Sequence, residues 1–157
     1  MAGLVREQGV RALLQRCAEA GVRVGGETVA SIGQGLVILV GVGHDDDTAI
    51  ADALAQRVAE LRIFRDDEGR TNRSLIDVRG EALVVSQFTL FADTSRGRRP
   101  GFTGAAAPEQ AERLYQRFAA SLREHDIRVE TGRFGAEMEV ALVNDGPFTI
   151  WLDTADR

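Results

Sequence analysis

Cysteine is nearly absent from this sequence: Cys17 is the only one in 157 residues. A lone cysteine excludes an intrachain disulfide and a cysteine-rich zinc site, and within an apolar strand it reads as core. Histidine is scarce too. His44 and His125 stand at element ends, without His-x-x-x-His spacing and without a serine or aspartate constellation to make either a triad base, so both read as surface residues. Positive charge is not in surplus. The formal net charge of −5 argues against a protein that coats nucleic acid by bulk electrostatics, so any RNA contact must be local. Long apolar runs are missing as well: Leu36 to Val42 is about a third of the ~20 residues that cross a bilayer, and the N-terminus has no signal-peptide core. A soluble, cytoplasmic protein that binds neither DNA nor membrane is expected. With three prolines, 17 glycines, no linker and no repeat, the chain suits one domain.

What is present organises the chain. Val10 to Cys17 reads as a first strand, and Val22 to Val24 with Thr28 to Ile32 as a β-hairpin about Gly25-Gly26, since glycine accepts the positive φ values of a tight turn. Leu36 to Val40 is apolar on both faces, as in a strand covered on both sides. Ile50, Leu54, Val58 and Leu61 form one helical stripe through about Arg62, with Asp45, Asp46 and Asp47 as solvated acids at its positive end. A second helix begins near Pro108, buries Ala111, Leu114, Tyr115, Phe118 and Leu122, and ends near His125. Leu83 to Val85 is another buried strand, running into Ser86 to Leu90. Ile127/Val129, Met138/Val140/Leu142 and Phe148/Ile150/Leu152 alternate as three half-buried strands. The pattern predicts a three-layer α/β/β single domain with mixed β-sheets and two main helices.

Few places offer chemistry. Gly41-Val42-Gly43-His44-Asp45-Asp46 sits where a dinucleotide fingerprint would, but its third glycine position is Asp46, and three carboxylates would repel a pyrophosphate. Two segments are more informative. A strand as apolar as Leu83 to Val85 would simply continue, yet it delivers Ser86, Gln87 and Thr89, which need hydrogen-bond partners or a purpose. Asn144-Asp145-Gly146-Pro147 joins two alternating strands. Its residues are turn formers and a hairpin turn accounts for them, although Gly-Pro also admits a cis peptide. Residue chemistry alone leaves both segments open between local structure and a site.

At these segments the chain resembles the D-aminoacyl-tRNA deacylase family, whose motifs read Ser-Gln-Phe-Thr and Asn-x-Gly-Pro-Val-Thr. The first is complete as Ser86 to Thr89, and the second is present with Phe148 in place of the common Val. The resemblance runs from Val10 to Asp153 and includes Ile32 to Leu36, Leu61 to Phe64, Gly97 to Pro100 and Thr131 to Ala136. Residues 1–9 fall outside it as an extension expected to be frayed, and residues 154–157 as a short tail.

The resemblance implies hydrolysis of the ester joining a D-amino acid, or glycine, to the terminal adenosine of tRNA. Such an ester is already activated, so positioning and an oxyanion site suffice where no Ser-His or Cys-His pair exists. It implies backbone N–H groups around Phe88 and Thr89 as oxyanion donors, with Ser86 and Gln87 shaping the pocket. Thr89 is either a nucleophile or a structural, water-orienting residue; the second is preferred because no base is recognisable. It further implies a homodimer in which one subunit inserts a cis Gly146-Pro147 pair, with Asn144 beside it, into its partner's site as a chirality filter. Arg96, Arg98 and Arg99 are expected at acceptor-stem phosphates. Phe134 and Met138 are expected in the core or, alternatively, lining an adenine pocket. No metal or cofactor is expected. The alternatives are a non-catalytic RNA-binding or assembly protein of the same fold, and a relative that edits an L-amino acid.

Overall fold

The computed structural model describes residues 9–156. The leader expected to be frayed therefore lies outside the described residues except for Gly9. That residue is buried against Thr154, whose backbone N–H donates to the Val10 carbonyl over 3.0 Å.

The chain runs β1 (Arg11–Val24), β2 (Glu27–Ile32), β3 (Gly35–Gly41), α1 (Thr48–Glu60), β4 (Phe64–Arg65), β5 (Thr71–Arg73), β6 (Glu81–Ser86), α2 (Pro108–Glu124), β7 (Arg128–Thr131) and β8 (Glu139–Asp153). One six-stranded sheet holds β2-β1-β3-β6-β7, with β8 on the other edge of β1, and β4-β5 form a separate two-stranded ladder. The sheet is mixed: β3-β6 and β6-β7 are parallel, while β1 is antiparallel to all three of its partners.

An expected break in β1 does not occur. Val10–Cys17 and Val22–Val24 belong to one strand, because Ala18 to Gly21 stays extended and pairs with β8 through register shifts on both sides of Cys17. Such bulges bend a strand and increase its twist. They carry the far ends of β1, β2 and β8 over the rest of the sheet, so Ala20, Val22, Ala30 and Ile32 pack on Val37, Leu83 and Val85. That is the second β-layer. The opposite face carries Leu14, Leu36, Ile38 and Val84 beneath Leu54 and Val58 of α1 and Tyr115 and Phe118 of α2. The three-layer α/β/β architecture thus arises from strands that serve both β-layers.

Both helices form on the expected stripes. Asp47 caps α1, its carboxylate accepting the Ile50 N–H at 2.9 Å, and Pro108 opens α2. Asp46 is a correction to the expected row of solvated acids: it is buried and accepts the Gly43 N–H at 2.6 Å. Burial pushes its carboxyl up to about 6. Cys17 is buried as expected, with its thiol pushed up to about 11 by the same cause, which leaves it unreactive. Among the described residues no helix is long and apolar enough to cross a membrane.

Candidate active site

The apolar strand β6 ends at Ser86 instead of continuing. Gln87 makes one last sheet-like bond, its N–H donating to the Val40 carbonyl at 2.8 Å, and Phe88–Phe91 then coil into a single 3-10 turn. The first N–H groups of any helical turn have no acceptor within it. Here the hydrogen bonds of the described residues leave the N–H groups of Phe88 and Thr89 free, since Leu90 and Ala92 take the carbonyls of Gln87 and Thr89.

Beside them opens a cavity of about 560 Å³ whose lining includes Ser86, Gln87, Phe88, Ala106, Phe134 and Met138. Among the described residues no titratable side chain lines it. Its polar equipment is Ser86, Gln87 and backbone, so it suits a flat apolar group and an oxygen that gains negative charge. Phe134 and Met138 are half-buried, and each lines the cavity and also packs against the core. Thr89 stands outside the lining, exposed, its hydroxyl accepting the Gln87 side-chain amide at 2.6 Å.

Arg96, Arg98 and Arg99 lie on an exposed loop pinched at its base by reciprocal backbone bonds between Asp93 and Gly101, 2.7 and 2.9 Å. Asp93 receives the Ser95 hydroxyl and N–H, which hold its carboxyl below the ordinary range. The loop adjoins the cavity through Phe102, whose ring meets the exposed Phe88 ring edge-on at 5.0 Å.

Asn144 to Pro147 is not a hairpin turn, because β8 runs straight through it. Thr149 pairs with Gln15 and Asn144 with Cys17, so Asp145, Gly146, Pro147 and Phe148 stand opposite Arg16 alone and bulge from the ladder. The Asn144 side-chain oxygen closes the bulge by accepting the Phe148 N–H at 2.9 Å. Gly146 and Pro147 are exposed, and the peptide between them is cis.

The bulge is gripped from below by Arg16, which residue chemistry had not singled out. Arg16 is 4% exposed and donates to the Asp145 carbonyl at 2.9 Å and the Ile63 carbonyl at 2.8 Å, with its guanidinium 4.5 Å above the Phe148 ring. A signal for it existed: Ala12, Leu14 and Arg16 share the inward face of β1, and a cation at an inward position must find partners. Arg65 adds a second grip through the Asp145 carboxylate, which its hydrogen bond holds below the ordinary range.

Asn144 aligns through Cys17 and Gly35 with Glu81, three strands across and five residues short of Ser86. At ~4.8 Å per strand and ~3.3 Å per residue, the bulge stands on the order of 20 Å from the cavity of its own chain. The fold does not bring the two segments together within one subunit.

A model of the family described as D-Tyr-tRNA(Tyr) deacylase matches residues 13–153. The chain belongs to this family. Among relatives named D-aminoacyl-tRNA deacylase, that of Dinoroseobacter shibae is 63% identical over 145 residues, covering 92% of this chain and 99% of its own length. That of Thermomicrobium roseum is 60% identical over 147 residues, covering 94% and 96%. A solved structure titled c-Myc DNA Unwinding Element Binding Protein superposes with TM-score 0.84 at 38% identity, covering 90% of this chain and 97% of that one. A probable eukaryotic D-amino acid tRNA deacylase shares the fold, with TM-score 0.81 at 20% identity, covering 92% and 98%. This chain carries Ser86, Gln87 and Phe88 on the cavity wall and Gly146-Pro147 on the bulge.

Proposed function

We propose that this deacylase hydrolyses the ester of D-aminoacyl-tRNA, and of glycyl-tRNA, with the Phe88 and Thr89 N–H groups as its oxyanion site. The free pair of N–H groups beside a cavity without titratable side chains carries the reading. An aminoacyl ester needs little activation, so fixed donors aimed at the developing oxyanion, with an oriented water, lower the barrier without a protein nucleophile. The terminal adenine fits between Phe134 and Met138, and Ser86 and Gln87 shape the mouth. Thr89, held by the Gln87 amide with no base against its hydroxyl, orients water together with the substrate's own ribose 2′-hydroxyl. Arg96, Arg98 and Arg99 meet the acceptor-stem phosphates from the adjoining loop.

Discrimination comes from a second copy of the chain. An exposed bulge about 20 Å from its own cavity serves catalysis by entering another. The edge strand β8 is 15 residues long and exposes Val143 and Trp151, a surface that favours pairing and supports a homodimer. Placed against the substrate's α-carbon, the Gly146 and Pro147 carbonyls, steadied by Asn144, reject an L-side chain by collision. A D-side chain points away, and glycine has none.

The test is release of amino acid from D-tyrosyl-, L-tyrosyl- and glycyl-tRNA by the purified protein. Release from the D- and glycyl-esters but not the L-ester is expected. No release from the D-ester would leave a non-catalytic RNA-binding protein, and release from the L-ester an editor of the opposite hand.

A further inference from the structure

Gly146 has φ +139 and no side chain, so its own sterics do little to set the direction of its carbonyl. What holds Asp145 therefore sets it. Arg16 holds the Asp145 backbone carbonyl from the buried side. On the other side, Arg65 Nη1 lies 3.1 and 3.0 Å from the two carboxylate oxygens of Asp145. Arg16 Nε stands 3.7 Å from one of those same oxygens. One carboxylate is thus shared by a buried and a half-exposed guanidinium. Arg65 and the Ile63 carbonyl bound by Arg16 come from one short stretch of chain, so that stretch holds Asp145 directly through the Arg65 side chain and holds, through the Ile63 backbone, the Arg16 that binds it.

We propose that Arg65 is a positioning residue for chiral discrimination: by holding the Asp145 carboxylate against Arg16, it fixes the direction of the Gly146-Pro147 carbonyls and sharpens rejection of L-esters. Arg65 touches no substrate, and the inference rests on the steric-filter reading above. The pair is partly exposed, so its contribution is that of a surface ion pair with favourable geometry.

The experiment compares kcat/KM for D-tyrosyl-tRNA with that for L-tyrosyl-tRNA in the full chain. In Arg65→Ala the D-to-L ratio falls about two- to five-fold through a gain on the L-ester. Arg65→Lys restores part of it, since an ammonium still reaches one carboxylate oxygen. Arg70→Ala, in the turn that joins β4 to β5 and with no ion pair among the described residues, leaves the ratio at the wild-type value. Arg65→Ala combined with Asp145→Asn lowers the ratio no further than the larger single effect, because both act through one contact. A ratio in Arg65→Ala equal to that of wild type or of Arg70→Ala overturns the inference. Gly146→Ala tests the underlying reading. Its added Cβ would stand 2.9 Å from Arg16 Nη2, so Pro147→Ala and a thermal melt accompany it. If folded filter variants keep wild-type discrimination, the filter reading itself falls; if they lose it while Arg65→Ala does not, only the role of Arg65 falls.

Discussion

Ser86–Thr89 follows the end of an apolar strand and Asn144–Pro147 bulges from an alternating strand that continues, and the two are held by opposite means. The first is set by backbone: β6 ends, one 3-10 turn follows, and two N–H groups are left over. The second is clasped by side chains, with Arg16 below, Asn144 across the gap and Arg65 at the side. A site made of backbone donors tolerates side-chain exchange, whereas a clasped bulge fails when its clasp is removed.

The sharpest break of this contrast is Arg16→Ala. It strips charged donors from the Ile63 and Asp145 carbonyls, a loss of about 4 kcal/mol from two charge-assisted bonds. A thermal melt should fall by about 10 °C, with loss of D-to-L discrimination. A variant as stable as wild type would show that the clasp is dispensable.

The second test asks whether the backbone-built site also leans on a side chain. Asp46 accepts the Gly43 N–H, and Gly43 bridges to Ala105, next to Ala106 on the cavity wall. Its carboxyl is raised to about 6, so the fold prefers it protonated. That contribution is complete below the unfolded value near 3.9 and is lost as pH rises through about 6. Asp46→Asn stays neutral and keeps an acceptor for Gly43. Its stability advantage over wild type should grow from nearly nothing at pH 4 to about 3 kcal/mol above pH 7, read from urea midpoints. Parallel curves for the two proteins would refute it.

Asn144→Ala tests a single strut. The Phe148 N–H loses its acceptor, which should lower stability by about 1 to 2 kcal/mol in urea titration and loosen discrimination, while D-ester hydrolysis persists. Equal loss on D- and L-esters would place Asn144 outside the filter.

How much of this was legible in the sequence follows from how local each signal is. The helices were readable because Pro108 and the stripe from Ala111 to Leu122 act within a few turns. The unbroken course of β1 and β8 was not. Asn144 to Pro147 favours a turn locally and Ala18 to Gly21 offers no β-branched or aromatic residue, and pairing between residues more than 100 apart overrides both. Burial of Asp46 depends on the turn after β3 folding back on Gly43, a contact that no periodicity encodes. Ser86 to Thr89 drew attention as polar residues on an apolar strand, but the free N–H groups exist only because the strand stops at Ser86. Nothing in local composition marks Arg65, since its partner lies 80 residues away.

The smallest effect is the most informative about chemistry. A nucleophilic hydroxyl needs a group that takes its proton, and the Gln87 amide at 2.6 Å is a donor, the opposite polarity. Thr89→Val keeps shape and backbone N–H while deleting the hydroxyl. If Thr89 only orients water, kcat/KM for D-tyrosyl-tRNA should fall less than about tenfold, the scale of one hydrogen bond. A nucleophile's removal typically costs far more, so single-turnover loss beyond about a thousandfold would transfer the chemistry from backbone to side chain. The contrast between the two segments would then dissolve, because the site read as backbone-built would depend on one hydroxyl as the bulge depends on Arg16.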